Sequence, residues 1–235
     1  FCLWFSWYGF NCFSTQAYEQ MYVASRVAIN TTLGACGGGI GGMLMNVVAY
    51  GHPDISPALN GILGGLVSIT AGCAYFEPYI ALIVGFLGGC LVYFGSWSLR
   101  SMKIDDALDA APVHMLCGAW GVLATGLLAS PKYIEGPYYG CFYGGSPVQL
   151  GIQVAGMVAI FTWSASLSGT FFYAFKHLGW LRVGFDEEVS GLDKLMNDGA
   201  LERDTEQQFQ PAPVNYYVNQ QGAGGGSNEL LSTGL

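Results

Sequence analysis

Six long apolar runs, separated by short polar breaks, confine this chain to folds that pack helices inside a bilayer. A helix needs about 20 mostly apolar residues to cross the hydrocarbon layer. The runs lie at about 1–14, 23–50, 56–76, 79–99, 107–129 and 148–177. Gly51-His52-Pro53-Asp54, Glu77-Pro78 and the polar group Arg100 to Asp106 separate the second to fifth runs, and a loop rich in Pro, Gly and Tyr from Ser130 to Pro147 precedes the sixth. Glycine and proline punctuate helices at such places. The expectation is an all-α polytopic membrane protein with about six spans.

Charge supports that expectation and divides the chain. Only 10% of residues are charged, against roughly 25% in soluble domains. Half of the sixteen acids lie between Asp186 and Glu206. The division expected is a transmembrane domain at 1–181 and a polar tail at 182–235, disordered towards Gly222-Ala223-Gly224-Gly225-Gly226-Ser227. The net charge of −8 and the lack of clustered Lys and Arg exclude a nucleic-acid partner. Seven scattered cysteines carry neither a CxxC pair nor metal-ligand spacing, so no disulfide framework, metal site or cofactor is expected. The apolar start at Phe1, with no methionine and no basic n-region, reads as a chain that begins within a helix, the partial C-terminal half of something longer.

Lys and Arg accumulate in cytoplasmic loops near span ends. If the first helix is entered from the inside, Arg100, Lys103, Lys176, Arg182, Lys194 and Arg203 fall inside, and Arg26 and Lys132 outside. A cytoplasmic tail follows. Glycines at 37–39, 41, 42, 61, 64, 65, 85, 88, 89, 118 and 121 set small residues on helix faces, where backbones approach closely.

Polar residues within the runs mark the candidate chemistry. His114 lies near the middle of the fifth run; an ionisable residue there faces a cavity or a partner. It reads either as a pore residue or as a neutral imidazole bonded to a nearby carbonyl. A neutral imidazole offers one donor and one acceptor, which suits the passage of small hydrogen-bonding molecules in single file. Asp105, Asp106 and Asp109 open that run. At least one should cap free backbone N–H groups, while the deeper Asp109 should fix backbone or a polar cluster at the inner mouth. Trp7, Tyr8, Phe10 and Phe13 sit with Asn11 and Ser14 at the end of the first run. The aromatics read as an interfacial belt or as a vestibule whose ring faces attract a cation, with Ser14 accepting a hydrogen bond from it. Asn11 reads as glue between helices.

Trp7-Tyr8-Gly9-Phe10-Asn11-Cys12-Phe13-Ser14 resembles the W-[FY]-G-F-N-x-G-S stretch of the ammonium transporter family, departing at Phe13, where the family commonly has glycine. The segment from Asn60 to Ala74 is similar to that family's N-G-x-L-[AG]-G-L-V-x-I-T-A-G-C pattern, and Asp105 to Gly118 to its D-D-x-x-[DG]-x-x-x-V-H-x-x-C-G pattern. Leu181-Arg182-Val183 and Gly191-Leu192-Asp193 resemble the start of its tail, and beyond Asp193 the sequence departs.

The resemblance implies the second inverted repeat plus the last helix of an eleven-helix fold, a homotrimer with one pore per subunit and a multi-pass place in the plasma membrane. It also implies roles for named residues. Phe10 would belong to an outer phenylalanine gate, Ser14 to an outer ammonium site and His114 to a pair of pore histidines, with Trp7, Asn11, Asp106 and Asp109 as support. The function implied is transport of ammonium or ammonia, with no enzymatic step, since one histidine without a nucleophile, paired acids or a metal set makes no catalytic site. The rivals are a Rhesus-type ammonia or carbon dioxide channel and a membrane sensor of ammonium.

Overall fold

A computed structural model describes residues 2–15 and 21–184. Helices α1 (Cys2–Phe13), α2 (Met21–Tyr50), α3 (Ile55–Thr70) and α4 (Pro78–Ser101) come first. A wide π-helical turn, Ala111–Leu116, then runs into α5 (Cys117–Leu128), and a short turn at Cys141–Tyr143 precedes α6 (Pro147–His177). No strand occurs among the described residues. The expected tail beyond 184 lies outside the described residues. The chain divides into two compact units, 1–171 and 172–235, and every site discussed below belongs to the first.

The polar breaks become caps. The Asp54 carboxylate accepts the Ser56 N–H at 3.1 Å and opens α3. Pro78 opens α4, where its missing N–H costs nothing. The two oxygens of Asp106 accept the N–H groups of Ala110 and Ala111, at 2.9 and 2.8 Å. In the second unit, α6 stops on Gly179, whose φ is +73°. Gly179 donates to the Lys176 carbonyl and Trp180 to that of Phe175, while the Trp180 and Phe175 rings meet edge to face. That is the Schellman closure with its apolar contact.

Among the described residues, four helical segments are long and apolar enough to span: α2, α4, the Ala111–Leu128 stretch and α6. The third apolar run differs from the expectation of a helix through Phe76. Helix α3 has 16 residues, about 24 Å of rise, and Ala71–Phe76 fold as a turn. The reason is a set of donors on α2 that serves the carbonyls this turn frees. Asn30 Nδ2 donates to the Cys73 and Phe76 carbonyls, both at 2.8 Å. Arg26 donates twice to the Ala74 carbonyl, at 3.0 and 2.8 Å. Buried backbone groups must find partners, and here side chains from a distant helix supply them.

Helices α2, α3 and α4 meet backbone to backbone. A Cβ added at Gly38 would strike the carbonyl oxygen of Gly61, and one added at Gly89 would strike the carbonyl oxygen of Gly38. Only small residues let helices approach so closely. Apolar side chains fill the space around this junction, with Val27, Leu66, Ile69, Phe76, Ala81 and Val84 buried. Helix α5 leans on the same slab: the Cys117 thiol donates to the Gly88 carbonyl at 3.4 Å and Trp120 Nε1 to the Val84 carbonyl at 3.1 Å. Helix α6 carries no buried residue although it is apolar, as befits a helix facing lipid or another chain. The molecule is an all-α polytopic membrane protein.

Candidate functional site

One stripe of α3 organises the candidate site. Asn60, Leu63, Val67 and Thr70 fall at helical spacing on one face, and each is half-buried. Its two ends are polar and its middle is apolar, over about 15 Å. Helix α1 touches the stripe at one end, where Trp7 Nε1 donates to the Thr70 hydroxyl at 2.9 Å. The π-helical turn and α5 touch its middle and other end. Leu63 and Val67 pack with Val92, Val113 and Cys117, and Asn60 Nδ2 donates to Asp109 Oδ2 at 2.9 Å. Among the described residues the backbones of α1 and α5 each come close to α3 and not to one another.

His114 projects from the π-helical turn. Its neighbours Pro112 and Val113 are buried, whereas His114 and Met115 are exposed. Two residues before the turn stands Asp109, a non-glycine residue with φ of +53°. The ladder is irregular at the end of the turn, where the Cys117 N–H reaches both the Pro112 and His114 carbonyls. Wide turns of this kind occur frequently at functional sites. The imidazole has no hydrogen-bond partner among the described residues. The alternative of a histidine tied to a nearby carbonyl therefore has no such bond to support it.

At the Ser14 end, Trp7 and Phe10 meet edge to face with ring centroids 6.3 Å apart. Phe10 is 63% exposed. The Ser14 hydroxyl donates to the Phe10 carbonyl at 2.6 Å, which leaves its oxygen lone pairs as acceptors. Asn11 is buried and donates to the Thr31 hydroxyl at 3.0 Å, so it joins α1 to α2 as glue. A second tie runs between the Tyr8 and Thr32 hydroxyls at 2.7 Å.

A cleft of about 670 Å³ opens beside Ser14, lined by Asn11, Arg26 and Thr70 from the helices, by Thr15 just after α1, and by Tyr133 and Glu135 from the loop after α5. Arg26 lies 3.7 Å over the Tyr133 ring, and Lys132 is near the same ring at 5.4 Å. The two cations assigned to one side of the membrane thus share one end of the bundle.

At the Asp109 end, Asp109 Oδ1 faces Arg100 at 3.8 Å, and Asp106 caps the helix start. The N–H groups of Ala111 and Ala110 hold the Asp106 carboxyl below the usual carboxylate range. A smaller cavity of about 130 Å³ is lined by Asn60, Ser96, Arg100 and Asp109. Sequence reasoning missed Asn60, Thr70 and Arg26 as contact makers. Asn60 and Thr70 stood in plain view inside the second motif, but their partners lie 49 and 63 residues away.

Comparison with known proteins places this architecture. The model of the Ammonium Transporter Family matches residues 1–200. Ammonium transporter 3 of Dictyostelium discoideum is 36% identical over 205 residues, covering 84% of this chain and 48% of that protein. The crystal structure of Candida albicans Mep2 superposes with a TM-score of 0.71 at 30% identity, over 79% of this chain and 42% of that one. A solved structure described as a sensor Amt protein gives 0.70 at 31% identity, over 81% of this chain and 46% of that one. The chain spans about half the length of these relatives. With its profile matched along most of its length and its helices superposed on solved relatives, this chain belongs to the ammonium transporter family.

Proposed function

We propose that this chain forms one wall of a path for ammonium and ammonia across a membrane. The observation that carries the reading is the α3 stripe with its flanks. A polar, aromatic entrance at Trp7, Phe10, Ser14 and Thr70 gives way to apolar Leu63 and Val67, which pack with Val113, the residue before the exposed His114. A cation is captured at the entrance by ring faces and hydroxyl oxygens. In the apolar stretch a charge is costly, so desolvation favours the neutral form. Ammonium gives up its proton to solvent water at the entrance near Phe10, and ammonia passes His114 by exchanging one donor and one acceptor with the imidazole. Asp106 and Asp109 support the turn that carries His114, and Trp7 and Asn11 fix α1.

The remaining parts of the proposal are drawn by analogy with the family. The chain supplies the second inverted repeat and the last helix of an eleven-helix protomer, with the path between repeats. Three protomers assemble in the plasma membrane, and the Lys and Arg balance puts the segment from 182 onward in the cytoplasm. The likeness to a structure described as a sensor supports a second reading, in which ammonium is bound and reported rather than moved.

Flux into liposomes that carry the complete protein separates these readings. Transport predicts ammonium-dependent alkalinisation or acidification of the lumen that is lost, more than tenfold, in His114→Phe at equal reconstitution. Binding without flux favours the sensor, and carbon dioxide flux favours a gas channel. Unchanged flux in His114→Phe removes His114 from the path.

A further inference from the structure

We propose that the hydrogen bond between Asn60 and Asp109 is a positioning latch, which fixes the π-helical turn and thereby sets where His114 stands along the α3 stripe. Its activity arm rests on the transport reading above; its structural arm does not. Asp109 is held in the left-handed region at φ of +53°, a conformation that a non-glycine residue keeps only when its surroundings impose it. The Asp109 N–H donates to the Asp106 carbonyl at 3.2 Å, a local backbone tie, and two side-chain interactions could impose the left-handed conformation. One is the bond from Asn60 Nδ2, at 2.9 Å. The other is Arg100, at 3.8 Å and with its side chain 70% exposed, and an exposed ion pair of that length constrains little.

From Asp109 the constraint passes through short, buried connections. The Asp109 carbonyl accepts the Val113 N–H at 3.0 Å. Val113 is buried against Val92 and Cys117, and His114 is the next residue. The N–H groups of Ala110 and Ala111 are already taken by Asp106, so the first turn has one arrangement available. If Asn60 lets go, Asp109 can relax to the right-handed region and the wide turn can become regular. A one-residue change of register turns side chains by about 100°, which re-aims His114 relative to the α3 stripe. Asn60 lies on the same stripe, three residues from Leu63. The stripe therefore carries both the wall of the path and the anchor for its histidine.

Three variants of the complete protein test this. Asp109→Gly accepts the left-handed backbone and deletes the carboxylate. Asn60→Ala breaks the same bond from α3 and makes no demand on the backbone of the turn. Asp109→Asn tolerates the left-handed region and still accepts from Asn60, but cannot pair with Arg100 as a charge. The first readout is the rate at which His114→Cys, placed in each background, reacts with a small water-soluble thiol reagent, read at that residue by mass spectrometry. The second is the ratio of ammonium to potassium flux with His114 present.

The latch predicts at least a threefold change in thiol reactivity and in selectivity for Asp109→Gly and Asn60→Ala, with Tm little altered. It predicts wild-type behaviour for Asp109→Asn. Wild-type reactivity in both bond-breaking variants overturns the proposal. An equal effect in Asp109→Asn also overturns it, because the charge facing Arg100 is then responsible. If the wild-type protein moves no ammonium, the transport reading falls while thiol reactivity still decides the latch.

Discussion

The slab of α2, α3 and α4 and the helices fastened to it are built on different principles. Within the slab, backbones touch at Gly38, Gly61 and Gly89, and no side chain stands between them to yield. Helix α1 is held by three side-chain hydrogen bonds, from Trp7, Tyr8 and Asn11, and α5 by Cys117 and Trp120 reaching slab carbonyls. Phe10, Ser14 and His114 all lie on or beside the fastened elements. A framework without adjustable contacts holds distances constant, while the elements pinned by single bonds can be tuned one residue at a time.

The strongest way to break this contrast is to put a side chain into the slab. Gly89→Val would drive atoms into the Gly38 carbonyl and against the Gly42 N–H, and overpacking without room to relax is strongly destabilising. No folded protein should survive size-exclusion chromatography in detergent. Gly118→Ala is the control, since its Cβ meets only Val67 Cγ1 at 3.8 Å, and it should behave as wild type. Normal folding of Gly89→Val would mean that the slab is as yielding as its attachments.

A second test asks whether the fastened helices carry activity without carrying the fold. Phe10→Ala should alter ammonium flux several-fold in liposomes and leave the yield of folded protein unchanged, because the ring is mostly exposed. A parallel loss of yield would return Phe10 to a packing role. Asn11→Ala should do the reverse. It removes a buried donor to Thr31 and should cost about 1–3 kcal/mol, measured as a lower midpoint of denaturation.

The smallest expected effect is at Asp106, and it depends on pH. The carboxyl is held below the usual carboxylate range by the Ala111 and Ala110 N–H groups, so its folded-state value lies under its unfolded one. Its contribution is full above the ordinary carboxylate range and fades as pH falls through the lowered folded value. Asp106→Asn should thus narrow the difference in Tm between neutral and acid pH. A Tm profile identical to wild type across that range would remove the cap from the account.

The spans and their breaks were legible because length and hydropathy are local properties. The capping aspartate and the gluing asparagine were legible for a related reason, since a polar residue in an apolar run must find a partner. The end of α3 was not. Ala71 to Phe76 are as apolar as the helix before them, and what makes a turn tolerable there is Asn30 and Arg26, which precede it by 43 to 48 residues. In the sequence Arg26 served only as a marker of sidedness. Likewise, the left-handed backbone of Asp109 has no decisive local signal, because aspartate tolerates that region more readily than most residues but does not require it.

The shortness of α3 has an electrical consequence. Its helix rises about 24 Å, less than the roughly 30 Å of a bilayer core, and the cleft beside Ser14 brings solvent down to Thr70. A membrane voltage drops mainly where water is excluded, and along this wall that is the stretch between Thr70 and Asn60. Moving one elementary charge across the whole field is worth about 2.3 kcal/mol per 100 mV. Under the proposed function, a cation held beside Ser14 would have crossed little of that field, so its occupancy there should respond weakly to voltage. Any charge that continues past Val67 and Leu63 experiences most of the drop within a few helical turns.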